Sequence, residues 1–565
     1  MIISKLQLEI FSMMKSKNIA LYYSKIFYQI YLVFNIVLML SCSQKTKVDY
    51  ILRDAHIYTL NANNDTAQAM AVSKNMIIAI GTNDEIFNNF TSDSIVSLKG
   101  KYVYPAFIDA HAHFFGLAHF LGECNLYGAN SIGEIIQRLK KFYETHPHKK
   151  WIVGRGWDQN LFPNKNFPNK TTLDSVFPTI PVCLTRVDGH AIWTNSKAIE
   201  LAGITPTTNI SGGKIILDAN KQPSGIFIDN ATQLIEKHIP SMSKKELIEL
   251  LIKADELCWQ HGIHTICEAG LDLWQIQLLD SLVDAGKLKL RFYVMASLNS
   301  TNWKYLLSRG KIDKQKLKVR SFKIYLDGAL GSRGALLKQP YSDITTENYF
   351  GLQLISTDSL DNVLKTLYEK DFQVCTHAIG DSANKLALQM YAQHLKTKND
   401  KRWRIEHAQI VDSIDRFYFG AYSILPSVQP THAISDKNWA IERLGKERIR
   451  YAYCYQSLWR QNQLLPIGTD FPVEDISPFK SFFAAVFRCD YDLKDTTSFQ
   501  KEEALTRFQT LRGMTYDAAY GCFMEKEIGS LEPNKQADYI VLDMDLFYID
   551  KESLSKYILQ LQQVF

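Results

Sequence analysis

A chain of 565 residues has room for one large catalytic domain and one or two smaller elements. Its 46% hydrophobic and 22% charged residues are the mix of an ordinary soluble globular protein. The formal charge is +5, but the first 41 residues hold four lysines against one glutamate, so the remainder is close to balance and excludes a nucleic-acid footprint.

Nine scattered cysteines with no C-x-x-C pair argue against a disulfide framework or a cysteine-rich zinc module. Near the N-terminus, Lys15, Lys17 and Lys25 precede an apolar run from Ile26 to Leu40, followed by Ser41 and Cys42. A basic region, an apolar stretch and a small residue before a cut describe a secretory signal. The Leu-Met-Leu-Ser-Cys ending resembles a bacterial lipoprotein box. This implies a signal peptide over residues 1–41, lipidation at Cys42, and a membrane-anchored lipoprotein of the cell envelope. The run is shorter than the roughly 20 apolar residues of a membrane span, and Gln29 and Asn35 interrupt it; an uncleaved anchor is the alternative.

A polar linker (42–48) leads into "VDYILRDAHIYTLN" and "AMAVSKNMIIAIG", which alternate apolar and polar residues between turn formers and read as half-exposed strands. "IGSLEPNKQADYIVLDMD" (528–545) has the same character. Residues 49–103 and 525–565 are therefore expected to form one small β-sandwich built from both termini. Between them, over 104–524, eight apolar runs read as strands: "VYPAFIDAHAH", "GIHTICEAG", "KLRFYVMAS", "VRSFKIYLDG", "FQVCTHAIGD", "RWRIEHAQ", "ILPSVQPTH" and "LLPIGTDFPV". Helical stretches such as "DSLDNVLKTLYEK" fill the gaps. Continuous apolar strands alternating with helices predict an α/β fold with a parallel sheet covered on both faces. Eight units fit a (β/α)8 TIM-like barrel, with an open doubly wound sheet as the competing architecture. About 150 residues separate the first two strands, so an inserted subdomain is expected at about 120–255.

Residues i and i+2 of a strand face the same way, so His111 and His113 project together from the first strand's C-terminal end. Two neutral imidazoles in a dry interior need partners for their nitrogens, and a divalent metal supplies one. Alone, H-x-H is weak. The pattern gains weight because His377, His407 and Asp470 also end apolar runs, while Lys323 interrupts one.

These segments resemble the amidohydrolase superfamily. "YPAFIDAHAH" (104–113) is similar to its P-G-F-[IL]-D-x-H-x-H signature. "SFKIYLDGALGSR", "THAIGD", "RIEHAQ", "SVQPTH", "GTDFPV" and "GSLEPNKQADYIVLD" follow in the order of its family-3, formamide-deformylase-like branch. The resemblance runs from about Asp49 to Asp545. Ala106 and Asn534 stand where the family has glycine, and Asn is the residue best able to replace glycine in a left-handed turn.

The resemblance implies a metal held by His111, His113 and Asp470, a second by His377 and His407, and Lys323 bridging them as a carbamate. An unmodified Lys323 beside one metal is the alternative, with Glu268 as a substitute carboxylate ligand. Zinc suits this donor set best, with manganese or iron as other options. The implied reaction is hydrolysis of a non-peptide carbon–nitrogen bond, an N-substituted or cyclic amide, by a metal-activated water, with Asp470 moving the proton. Trp157, Asp158, Asp188, His190 and Asn195 of the insert, and Arg333 of "DGALGSRGA", are the expected substrate contacts, His190 polarising the leaving group or carbonyl. The partner is thus a small amide-like molecule, with a homodimer among the open oligomeric states. A deaminase, a lactone or ester hydrolase, and a non-catalytic exported binding protein are the competing functions.

Overall fold

Strands that bury both faces need apolar side chains at every position, and the runs between residues 107 and 427 supply them. The computed structural model describes residues 24–30, 45–186, 191–210, 213–240, 242–344 and 348–564. Cys42, Asp188 and His190 lie outside the described residues.

Seven parallel strands follow one another in chain order around one sheet: β1 (Phe107–Ala112), β2 (Ile263–Leu271), β3 (Arg291–Ser297), β4 (Leu317–Tyr325), β5 (Gln373–Ala378), β6 (Arg404–His407) and β7 (Leu425–Ser427). Residues 465–470 supply the eighth side. Val428 N donates to Pro466 O (3.0 Å) and Gly468 N to Val428 O (3.0 Å) on the β7 flank. On the β1 flank Ala110 N donates to Ile467 O (3.1 Å) and Asp470 N to His111 O (2.8 Å). These bonds close the ring and remove the open-sheet alternative. Pro466 has no N–H to give, so the segment bonds sparsely and is short.

The connecting helices have the expected stripes. Thr357–Glu369 buries Leu360, Leu364 and Leu367, spaced for one face, and Ser356 caps it by accepting from Ser359 N, an interaction worth about 1 kcal/mol. Between β1 and β2 lies a six-stranded sheet, ordered Cys124–Asn125, Ile152–Trp157, Val182–Arg186, Ala191–Thr194, Pro223–Asp229, Gly213–Leu217. It has its own core around Trp157, Leu184, Trp193 and Ile226.

The chain divides into two compact units, the smaller comprising residues through Ile57, Thr66–Lys101 and Glu532–Ala537. In that unit Tyr50–Arg53 pairs antiparallel with Ala69–Ser73, which pairs with Met76–Gly81. The C-terminal stretch joins them through Ile77 N to Lys535 O (2.9 Å) and Ala537 N to Asn75 O (2.8 Å), so both ends of the sequence contribute. Asn534 takes φ 69°, the left-handed turn expected of glycine's replacement. In the larger unit Tyr539–Leu542 pairs antiparallel with Tyr102–Pro105.

Candidate metal centre

Register carries the titratable residues to one rim. Lys323 of β4 lies opposite Cys375, Tyr325 opposite His377 of β5, and His377 opposite Glu406, the residue before His407 of β6. The eighth segment is stapled to β1 by Asp109, whose Oδ1 accepts from His111 N (3.1 Å) and Thr469 N (3.0 Å) and whose Oδ2 accepts from Thr469 Oγ1 (2.6 Å). A Cβ at Gly468 would lie 2.4 Å from His111 N, so only glycine lets the two backbones approach. His407 (φ 73°) and Asp470 (φ 65°) sit in the left-handed region, a conformation that costs a non-glycine residue of order 1–3 kcal/mol and turns both side chains inward.

The staple brings His111, His113 and Asp470 together with their ligand atoms within 4.8 Å of one another; His407, His432 and Asp470 form a second such group. His113 Nε2 lies 3.1 Å and His111 Nε2 3.7 Å from Asp470 Oδ1, while His432 Nε2 lies 3.1 Å from Oδ2. Lys323 Nζ is 3.2 Å from His111 Nε2. The His377 and His407 rings are 4.5 Å apart. All line, or border through His111, a cavity of about 340 Å³ that also contains Tyr325, Gln409 and Trp439.

Burial and neighbouring charges set the protonation states. Burial pushes His111 down to about 4 and His377 to about 3, with the Lys323 ammonium adding to both, so these imidazoles are neutral and keep lone pairs for a cation. Burial likewise lowers Lys323. Burial alone would raise the Asp470 carboxyl, but the His113 and His432 imidazoles hold it well below the ordinary range. Asp470 Oδ1 and His377 Nε2 are buried yet make no hydrogen bond. Orphaned lone pairs among imidazoles and a carboxylate fit a divalent cation.

His111 is oriented from behind. Its Nδ1 faces Glu406 Oε2 at 2.5 Å, which assigns the proton to Nδ1 and leaves Nε2 as the ligand atom. Burial would raise Glu406, but Arg404 and His111 hold it well below the ordinary carboxylate range. Arg404 also donates to Ala110 O (2.6 Å) and Ser427 Oγ (2.8 Å). Gln429 Oε1 lies 2.8 Å from His407 Nδ1 and plays the corresponding part there.

His377, expected with His407 at a second ion, lies in the cavity beside His407, with its Nε2 3.7 Å from Asp327 Oδ1. His432 is an additional imidazole, grouped with His407 and Asp470. Several other expected residues fall elsewhere. Glu268 is buried at the end of β2, where its Oε2 accepts from Phe114 N. Trp157 is fully buried and donates to Leu184 O (2.7 Å), in the insert's core rather than the cavity. Asn195 is also fully buried: its Oδ1 accepts from Val182 N and Ala198 N and its Nδ2 donates to Phe177 O and Ile180 O, which makes it a structural cap. Asp158 pairs with Arg186 (2.7 Å), and Arg333 with Asp343 (2.7 Å). His432, Glu406 and Gln429 do not stand out in the sequence, although "SVQPTH" ends a strand run at a histidine and "RIEH" alternates two charges inside one.

The amidohydrolase family profile matches residues 94–558. The Bacillus subtilis (strain 168) protein YtcJ is 31% identical over 509 residues, covering 88% of this chain and 95% of its own. N-substituted formamide deformylase of Arthrobacter pascens is 24% identical over 522 residues, covering 88% and 94%. A crystal structure of an uncharacterised metal-dependent hydrolase from Pyrococcus horikoshii OT3 superposes with a TM-score of 0.73 at 28% identity, covering 89% of this chain and 99% of that one.

Proposed function

The chain belongs to the amidohydrolase family, and from that premise we propose that it hydrolyses a non-peptide carbon–nitrogen bond, an N-substituted or cyclic amide, with zinc as its metal. The hydrolase class and the His/Asp group follow from the family and the geometry; the bond and the metal's identity are the proposal. One observation carries it: two imidazoles and a carboxylate, ligand atoms within 4.8 Å, with His111 and Asp470 buried and His113 partly so, at the mouth of a closed barrel beside a cavity.

His111, His113 and Asp470 would hold one ion, with His407 and His432 sharing Asp470 at a second position and His377 within reach. A bound divalent ion supplies Lewis-acid polarisation of the scissile carbonyl and acidifies a water. Asp470, ionised and fixed by two imidazoles, accepts that water's proton on a carboxylate oxygen and returns it to the departing nitrogen. Glu406 and Gln429 hold the imidazoles in the required tautomers. Lys323, buried with a lowered pKa, is suited to react as the free amine with carbon dioxide, forming an N–C bond and losing one proton. Similarity to a formamide deformylase supports an amide substrate, and the family's deaminases make ammonia release the discriminating readout.

The test is a panel of N-acyl and cyclic amides with metal-loaded protein. Activity lost in chelator and regained with zinc, with amine but no ammonia released, supports the reading; ammonia release or a panel without turnover at full metal content overturns it. Carbon-13 bicarbonate labelling reads out a carbamate at Lys323. Export is proposed separately from residues 24–44: fatty-acid incorporation should disappear in Cys42→Ala.

A further inference from the structure

A second cavity, about 600 Å³, adjoins the first, and His113 and Val473 line both. Its walls come from the barrel rim and from the insert, where Phe115 and Tyr127 supply apolar surface. Two side chains of opposite charge, Glu123 and Arg155, also line it; Arg155 acts on Glu123 electrostatically, but among the described residues neither side chain makes a hydrogen bond or an ion pair within 4 Å. The other charged neighbours are committed. Lys149, which together with Arg155 acts on Glu123, is bound to Glu246 at 2.7 Å, and Glu268 accepts from Phe114 N. Arg155 sits two residues before Trp157, on the strand Ile152–Trp157.

The cavity is half open to solvent, so the half-buried guanidinium and carboxylate are free to exchange water for a ligand that pairs with them. A substrate carrying one negative charge would satisfy Arg155 but press against Glu123, and a simple cation would do the reverse. A group bearing both charges a short distance apart satisfies the two together, and Arg's fork suits a carboxylate. We infer that this cavity is a subsite for an α-amino acid head group, Arg155 taking its carboxylate and Glu123 its ammonium. The amino acid's side chain then carries the scissile amide past His113 to the metal centre. This rests on the hydrolase reading and names the substrate class: side-chain N-acylated amino acids.

Metal-loaded protein is titrated calorimetrically with L-lysine, 6-aminohexanoate, which lacks the α-amino group, and cadaverine, which lacks the carboxylate. Lysine should bind at least about tenfold tighter than either analogue. Arg155→Met and Glu123→Gln should each erase that advantage, and Arg155→Lys should restore part of it, with melting curves confirming that each variant is folded. In turnover, Nε-acetyl-L-lysine should show a KM about tenfold below that of N-acetylcadaverine. Equal binding of the three probes, as when Glu123 and Arg155 close on each other, or a lysine advantage that survives both variants, overturns the subsite. If lysine binding depends on Arg155 but no amide turns over, the hydrolase reading fails and the subsite stands. If N-acetylcadaverine is hydrolysed as well as the lysine derivative, the hydrolase stands and the subsite fails.

Discussion

Glu406→Gln is the sharpest perturbation of the centre that replaces no proposed ligand. Glu406 is fully buried, and two N–H groups converge on its Oε2, His111 Nδ1 at 2.5 Å and Arg404 Nη2 at 3.0 Å, while Arg404 Nε lies 2.7 Å from Oε1 as an ion pair without hydrogen-bond alignment. Glutamine has the same shape but one acceptor oxygen, and its NH2 would face a donor. Arg404 would keep its charge inside the barrel with Ala110 O and Ser427 Oγ as its remaining acceptors. Breaking a buried pair from one side costs about 3–5 kcal/mol. His111 would lose the acceptor that fixes its tautomer, which costs roughly 10–100-fold in metal affinity. The assays are urea unfolding of metal-free protein and zinc competition against a chromogenic chelator. Both should move. A variant with the wild-type midpoint and wild-type zinc affinity would show that the Arg404–Glu406–His111 chain does not organise the site.

Asp470→Asn should retain the fold and lower kcat by about 10²–10⁴ with smaller change in substrate binding, measured at matched metal content; near-native turnover with full metal would remove Asp470 as the proton carrier. Gly468→Ala pushes a methyl against His111 N and O, so β1 and the eighth segment must separate, at a cost of about 1–3 kcal/mol and roughly a hundredfold in activity; an unchanged melting curve and rate would refute the close approach. His264 is buried against Trp259, its ring 3.8 Å away, and burial lowers its pKa to about 4 from an ordinary 6.5. A depressed pKa means the neutral form is preferred in the fold, so its contribution is complete above pH 6.5 and is lost as pH falls through about 4. His264→Phe keeps the stack and should flatten the acid branch of the stability–pH curve by about 3 kcal/mol between those limits, read from unfolding midpoints of metal-free protein.

Strand ends were legible without coordinates because buried parallel strands are continuous apolar runs, and a polar side chain that stops such a run is conspicuous. By that rule His111, His113, Lys323, His377, His407 and Asp470 were found, and each stands at the rim. The turn conformation of Asn534 was legible for a similar reason, since few residues tolerate positive φ. The insert was harder. "GWDQ" marked the right strand, but the bulge between Arg155 and Trp157 sends Trp157 into the core and leaves Arg155 on the cavity wall.

What the order of residues decides by itself here is local: period-two faces, run lengths, caps, and which side chains finish each strand. Which imidazole shares Asp470, which carboxylate stands behind His111, and which charges are left without a partner depend on groups far apart in the chain. Arg404 meets Ala110 across 294 positions, and His432 reaches Asp470 from another segment. Those pairings exist only once the ring closes, because closure sets the direction of each side chain at a turn that no periodicity encodes.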